Sequence, residues 1–161
     1  MTQRVPAIYT IQLLPPRISV GTRILALLIG MGCLLLLLVA TQVSPDNDGL
    51  GTHLQLGMKK CHFLLTSGLP CPTCGMTTSF SWFVRGHLLA SIYVQPMGAA
   101  LALAACAGVW AGLYIGLTGR PIHRLARHLP LAKMLFGVLL FTVAAWGWKI
   151  LLHLSGWDGW S

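Results

Sequence analysis

The chain has 161 residues, of which 55% are hydrophobic and 9% are charged, whereas charged residues make up about 25% of an average soluble domain. Glutamate is absent, and the formal net charge is +8. This composition excludes an ordinary soluble domain and predicts an all-α, multi-pass membrane protein embedded in a lipid bilayer. Nucleic acid is not an expected partner, because the arginines are dispersed and no basic stripe alternates with aromatic residues.

The first long apolar run covers residues 24–43, about the 20 residues that a helix needs to cross a hydrocarbon core. Arginines precede the run, as they would in a signal peptide. However, the run is longer than a signal core and lacks an A-x-A-like cleavage pattern. We therefore predict an uncleaved transmembrane helix, followed by a polar, turn-rich connector at residues 44–60.

Residues 61–95 contain three of the five cysteines, two of them in a C-P-T-C motif. Prolines break any helix before this motif, whereas Pro72 can occupy a first helical turn. We predict a helix from Pro72 to Arg85. Its spacing would align a thiol, three hydroxyls and a guanidinium on one stripe, formed by Cys74, Thr77, Thr78, Ser81 and Arg85.

A full membrane crossing by this helix is not expected. Arg85 and His87 would lie near the middle of the bilayer, where charged side chains are costly. We predict a short re-entrant or interfacial amphipathic helix instead.

The second predicted span covers residues 97–117, which carry no charge. Small residues recur at every fourth position and lie near one helix face, at Ala100, Ala104, Gly108, Gly112 and Gly116. Such a face allows another helix to approach closely. The pattern predicts helix packing, within the chain, in a homo-oligomer or with another membrane protein.

The third predicted span covers residues 131–154, with Lys149 and His153 near its end, where they can snorkel to the membrane surface. Four tryptophans crowd this end of the span and are expected to act as interfacial anchors, at Trp146, Trp148, Trp157 and Trp160.

The basic residues predict the orientation. Arg120, Arg124 and Arg127 lie in the loop of residues 119–130, and the N-terminal arm also carries three arginines. The positive-inside rule places both segments in the cytoplasm. The cysteine segment is then extracytoplasmic, in a compartment that is usually oxidising.

The cysteines allow three interpretations. We favour a non-enzymatic structural or interaction component, in which a disulfide joins Cys61 to Cys71 or Cys74 and no cofactor is required. The second is a membrane thiol oxidoreductase that uses Cys71 and Cys74. The third is a zinc site with Cys61, Cys71 and Cys74 as ligands, completed by His62 or His87. Cys33 and Cys106, inside apolar helices, are expected to be small buried hydrophobes.

The stretch CHFLLTSGLPCPTCGMT, residues 61–77, resembles a widespread bacterial family of small membrane proteins known as a domain of unknown function. Phe80, Gly86 and Gln95-Pro96 extend the match. Members of the family typically read T-G-x-x-C-P-x-C-G-x-T-R, then G-D, then N-P. The resemblance covers residues 61–117 and implies an integral protein of the bacterial cytoplasmic membrane without an assigned reaction.

The chain departs from the family pattern at charged positions. Thr78 stands where the family has arginine, His87 where it has aspartate, and Gln95 where it has asparagine. The cysteines are retained, so we predict that the thiols are the functional unit.

Overall fold

The computed structural model describes residues 18–46, 48–120, 130–158 and 160. These residues form helices and no strand, which confirms the predicted all-α fold class. The helices are α1 (Val20–Gln42), a 3₁₀ helix (Thr52–Leu56), α2 (His62–Ser67), α3 (Met76–Val84), α4 (Leu88–Val94), α5 (Pro96–Thr118) and α6 (Leu131–Leu154). Three of them, α1, α5 and α6, are long and apolar enough to cross a membrane.

Helices α1 and α5 pack against each other through glycines. A Cβ atom on Gly112 would lie 2.6 Å from the carbonyl oxygen of Ala26 and 2.9 Å from the Cα atom of Gly30. A Cβ atom on Gly108 would lie 2.9 Å from the Cys33 sulfur. The two backbones can therefore approach this closely only because these positions lack side chains.

The predicted row of small residues divides into two parts. Gly108, Gly112 and Gly116 face α1, with Gly116 packed beneath Leu27. Ala100 and Ala104 are exposed. The three glycines thus pack against a helix of the same chain.

Two arginines bind the carbonyl ends of the neighbouring helices. Arg23 donates to the carbonyl oxygen of Gly116 from Nε at 2.9 Å and from Nη2 at 2.7 Å, near the end of α5. Arg85 donates from Nη2 to the carbonyl oxygen of Thr41 at 3.2 Å, at the end of α1. The last carbonyls of a helix lack partners within it and carry partial negative charge. Arg23 therefore stabilises the contact between α1 and α5, whereas Arg85, at the end of α3, stabilises the contact between α3 and α1.

Helix α6 is attached at its C-terminal end. Residues 131–141 are all exposed. Near the other end, Trp148 Nε1 donates to the carbonyl oxygen of Tyr93 at 2.8 Å, and the Tyr93 hydroxyl donates to that of Trp157 at 3.1 Å. Trp148 and Trp157 thus join α6 and the segment after it to α4.

The predicted helix from Pro72 to Arg85 was wrong at its start. Helix α3 begins at Met76 because Gly75, with φ of 85°, adopts a left-handed conformation that ends any regular helix there. Cys74 therefore lies in the preceding turn and not on the helical stripe. At the other end, Gly86, with φ of 83°, separates α3 from α4.

Part of the orientation prediction falls outside the described residues. This applies to the N-terminal arm with Arg4 and Arg17, and to residues 121–129 of the basic loop.

The glycine contact predicts opposite effects for two Gly-to-Ala substitutions in long helices. Gly112→Ala should destabilise the protein by about 1–3 kcal/mol, because the new methyl group meets backbone atoms of α1. Gly32→Ala should have no cost, since no atom lies within 4 Å of its Cβ position and alanine favours a helix. Thermal unfolding of both variants in the same detergent provides the comparison. Equal melting temperatures would show that the glycine contact is not tight.

Candidate functional site

Three cysteines form the site. The sulfur atoms of Cys61, Cys71 and Cys74 lie within 4.8 Å of one another, so the cluster could hold a metal ion. Cys61 immediately precedes α2, whereas Cys71 and Cys74 lie in the turn before α3. All three are free thiols, as are Cys33 and Cys106 in the long helices.

A tight turn brings Cys71 and Cys74 together. The Cys74 amide donates to the carbonyl oxygen of Cys71 at 3.0 Å, and the Cys71 amide donates to the Cys74 sulfur at 3.3 Å. The two sulfurs are 3.2 Å apart. A Cβ atom on Gly75 would lie 3.0 Å from the carbonyl oxygen of Gly49, so the turn also packs tightly against the connector. Glycine meets both requirements at this position, a left-handed backbone and close approach.

Two side chains of α6, together with Gln95 immediately before α5, bind backbone carbonyls of the loop that contains this turn. Gln95 Nε2 donates to the carbonyl oxygen of Pro72 at 2.9 Å, and Trp146 Nε1 donates to that of Pro70 at 2.9 Å. His153 Nε2 lies 3.2 Å from the carbonyl oxygen of Gly68. The cysteine loop is therefore fixed by the start of α5 and the end of α6.

A buried ion pair lies behind the turn. Lys149 is fully buried, and its Nζ atom lies 3.3 Å from Asp158 Oδ1 and 3.3 Å from the Asp158 carbonyl oxygen. The contact with Oδ1 is ionic and lacks hydrogen-bond geometry, whereas the carbonyl oxygen accepts a hydrogen bond. The Lys149 Cε atom would be 3.5 Å from a Cβ atom on Gly75. Lys149 does not snorkel, contrary to the sequence-based expectation.

His153 extends this pair to the loop. Its Nδ1 atom faces Asp158 Oδ2 at 2.5 Å, while Nε2 faces the carbonyl oxygen of Gly68. Asp158 thus contacts both Lys149 and His153.

The pKa values of the two cysteines of the turn are shifted in opposite directions. Burial alone would raise the pKa of the half-buried Cys71, but hydrogen bonds from Thr73, Cys74 and Cys61 lower it to about 7. Burial raises the pKa of Cys74 to about 12, and hydrogen bonding to Cys71 adds to the effect. Because the thiolate is the nucleophile, these shifts favour Cys71 over Cys74 as the more reactive thiol.

A cavity of about 270 Å³ adjoins the cluster, with Cys61 and Cys74 in its wall. It lies between the connector and α2. Four ionisable side chains also line it, those of Asp46, Asp48, His53 and Lys60. The cavity gives a small ligand access to the cluster.

The polar side chains of the predicted stripe, from Thr77 to Arg85, do not hydrogen-bond to the thiols but form hydrogen bonds or contacts elsewhere. Thr78 is buried and donates to the Thr52 hydroxyl at 2.8 Å, while buried Ser81 donates to the carbonyl oxygen of Val43. Thr77 lines a separate cavity between α1 and α3. Arg85 binds the Ser81 hydroxyl at 2.6 Å and the end of α1. These side chains anchor α3 to α1 and to the connector.

The two histidines proposed as zinc ligands are not part of the cluster. His62 and His87 are both exposed, and the group of potential ligand atoms contains the three cysteines alone. The His87 ring packs edge-on against Trp82, with centroids 5.2 Å apart.

Sequence reasoning missed Gln95, Trp146, Lys149 and Asp158 as parts of the site. The available signal was a lysine inside an apolar span that is followed, nine residues later, by an aspartate. A charge within such a span usually has a partner.

Residues 61–110 match the model of a family described as a protein of unknown function, DUF2752. The match supports the predicted resemblance to an uncharacterised family and covers the cysteine segment with the first part of α5. The individual signature positions stay a prediction. No curated protein and no solved structure matches the chain.

The acidity of Cys71 predicts the pH dependence of its alkylation. In reduced protein, the rate with iodoacetamide should rise with pH and become half-maximal near the Cys71 pKa of about 7, because the thiolate fraction grows through that value. Thr73→Val should move the midpoint upwards by removing a hydrogen bond that favours the thiolate. Quantitative mass spectrometry of the alkylated peptides measures both midpoints. A wild-type midpoint above pH 8, or no shift in the variant, would contradict this assignment.

The ion pair predicts a large effect of removing one partner. Asp158→Asn should destabilise the protein by about 3 kcal/mol, since it leaves the buried Lys149 charge without its counter-ion. The double variant Lys149→Met, Asp158→Asn should recover part of this loss. Melting temperatures in detergent should be lowest for Asp158→Asn, intermediate for the double variant and highest for the wild type. A double variant less stable than Asp158→Asn would argue against a costly unpaired lysine.

Proposed function

We propose that the chain is a multi-pass protein of the bacterial cytoplasmic membrane whose Cys71–Cys74 pair exchanges disulfides on the extracytoplasmic side. One observation carries the proposal. The two sulfurs are 3.2 Å apart, with Cys71 half-buried and Cys74 buried. A substrate can reach the first thiol, and the second lies where it can resolve the product.

The exchange would follow the usual two steps of thiol chemistry. The Cys71 thiolate attacks one sulfur of a substrate disulfide, whose S–S bond breaks and releases one substrate thiolate. Cys74 then loses its proton and attacks Cys71 Sγ, which releases the second substrate thiolate. The substrate gains two electrons and two protons as two thiols, and the protein is oxidised to a Cys71–Cys74 disulfide. The reverse sequence would oxidise a dithiol substrate.

The acidities support this order of events. A pKa of about 7 leaves a large thiolate fraction of Cys71 near neutral pH, where an attacking thiol is most effective. Cys74, with a pKa of about 12, stays protonated until the mixed disulfide has formed.

The placement in the membrane is supported by composition. Three helices have the length and hydropathy of membrane spans. The N-terminal arm and residues 119–130 are rich in arginine and flank the apolar runs, as cytoplasmic segments do. One candidate span separates the cysteine segment from each of these arginine-rich segments, so the cysteine segment would lie outside, in a compartment where disulfides persist.

A purely structural role, which the sequence favoured, has less support. A permanent staple would join Cys61 to Cys71 or Cys74, whereas the close sulfur pair in the structure is Cys71 and Cys74, 3.2 Å apart. A staple also has no need for one thiol of lowered pKa beside one of raised pKa. Interaction with another membrane protein is still compatible with the proposal, since the exposed half of α6 offers an apolar surface.

The test is a mixed-disulfide trap. The variants carry Cys61→Ser as well, because the Cys61 sulfur lies within 4.8 Å of Cys71 and could replace the missing thiol. Reduced, metal-free Cys74→Ser protein of this background is incubated with glutathione disulfide and analysed by non-reducing mass spectrometry. One glutathione per chain should stay attached, at Cys71, because the resolving thiol is missing. Wild-type protein should release both glutathiones and retain an internal Cys71–Cys74 disulfide.

Two matched controls accompany the trap. Cys71→Ser should accumulate no comparable adduct, because the buried Cys74 is neither ionised nor accessible. Cys33→Ser, which alters a cysteine in α1, should behave as the wild type. An adduct of equal yield in Cys71→Ser, or none in Cys74→Ser, would refute the proposal.

A further inference from the structure

Disulfide exchange uses two thiols, and the site contains three. Cys61 comes from a different segment, ten residues before Cys71, yet its sulfur lies within 4.8 Å of both others. The exchange does not require Cys61, so its position beside the other two sulfurs needs a separate explanation.

We infer that the reduced protein binds a thiophilic d¹⁰ cation, Zn²⁺ or Cu⁺, through Cys61, Cys71 and Cys74, with a coordination position open to the adjoining cavity. This inference goes beyond the proposed exchange reaction. It depends on the convergence of three sulfurs and on the position of the cavity.

The spacing of the sulfurs fits such an ion. A metal–sulfur distance of about 2.3 Å places thiolates about 3.8–4.0 Å apart in tetrahedral or trigonal geometry. The observed sulfurs are 3.2 Å apart for Cys71 and Cys74, and all three pairs are within 4.8 Å. To reach this spacing, the Cys71 and Cys74 sulfurs would have to separate by about 0.6–0.8 Å, and no pair would have to close by more than about 1 Å.

The donor set selects the class of ion. Three thiolates favour soft or borderline cations such as Cu⁺ and Zn²⁺, and disfavour Mg²⁺ and Ca²⁺, which prefer oxygen ligands. No histidine or carboxylate among the described residues joins the group. Cu⁺ can be satisfied by the three sulfurs, whereas Zn²⁺ would need a fourth ligand.

The cavity supplies the access for that fourth ligand. Cys61 and Cys74 both belong to the wall of the 270 Å³ cavity, so an ion between them would face its interior. Structural zinc sites have four protein ligands and are closed, while sites with three leave a position for water or another small ligand. The ion should therefore be exchangeable.

Metal binding and disulfide exchange would exclude each other. Each thiol that ligates the ion gives up its proton, and the coordinated sulfurs keep their oxidation state. Formation of the Cys71–Cys74 disulfide removes two of the three ligands and would release the ion. The loaded protein should accordingly resist oxidation.

The experiment titrates reduced full-length protein in detergent, anaerobically. In one arm the protein competes with a chromophoric chelator for Zn²⁺, added as zinc chloride. In the other arm it competes with a Cu⁺-specific chelator for Cu⁺. We expect one ion per chain in at least one arm. Cys61→Ser should lower the affinity by about tenfold or more, since even outer ligands of a metal site contribute about that much.

Matched controls separate the proposed ligands from other groups. Cys33→Ser and Cys106→Ser alter cysteines outside the cluster and should bind as the wild type does. His62→Ala and His87→Ala should also leave the affinity unchanged. A loss of zinc binding in either histidine variant would show that a histidine is the fourth ligand, and would contradict the inferred open coordination position.

A measurement on wild-type protein avoids any folding defect of Cys61→Ser. Bound metal should protect Cys61 from iodoacetamide, and a chelator should restore its alkylation. Absence of binding in both arms, or alkylation of Cys61 at an unchanged rate in loaded protein, would overturn the inference. The glutathione trap is performed on metal-free protein, so it can succeed or fail independently.

Discussion

The cysteine site depends on the hydrogen bonding of an irregular backbone segment beside apolar helices. Helices satisfy their own amides and carbonyls, but the loop before α3 cannot do so, and unpaired buried polar groups are costly. The carbonyl oxygens of Gly68, Pro70 and Pro72 each accept a hydrogen bond from a side chain of α6 or from Gln95 before α5. The loop is thus held at three points, and the positions of the sulfurs follow from these bonds.

This constraint explains why α6 is attached at one end. Its first half is exposed, whereas the turns from Trp146 onwards provide the indole and imidazole donors together with the buried Lys149. Asp158, beyond the helix, balances the lysine and orients His153. A buried ion pair adds little net stability but is costly to disrupt, so it fixes one arrangement of the α6 end against the cysteine turn. The end of α6 therefore acts as the support of the site.

The long helices could be predicted from the sequence, because length and hydropathy decide which segments can cross a membrane. The repeat of small residues likewise pointed to the face of α5 that carries Gly108, Gly112 and Gly116. The start of α3 could not be predicted, since Pro72 permits a helix and only tertiary contacts show that Gly75 is left-handed. Nor could sequence spacing pair Trp146 with Pro70, 76 residues apart, or show that three cysteines meet while two histidines stay outside the cluster.

Both proposals, the disulfide exchange and the metal site, depend on the proximity of the three thiols, and they differ in which sulfurs must be accessible. A disulfide substrate needs only one accessible sulfur, so the half-buried Cys71 can react while Cys74 is shielded. A small cation needs all three sulfurs at once and can approach through the cavity that Cys61 and Cys74 line. Since the same hydrogen-bonded loop holds the sulfurs in either case, neither chemistry requires a rearrangement of the helices. The oxidation state of the Cys71–Cys74 pair would then decide whether the ion stays bound, because the disulfide leaves Cys61 as a single ligand.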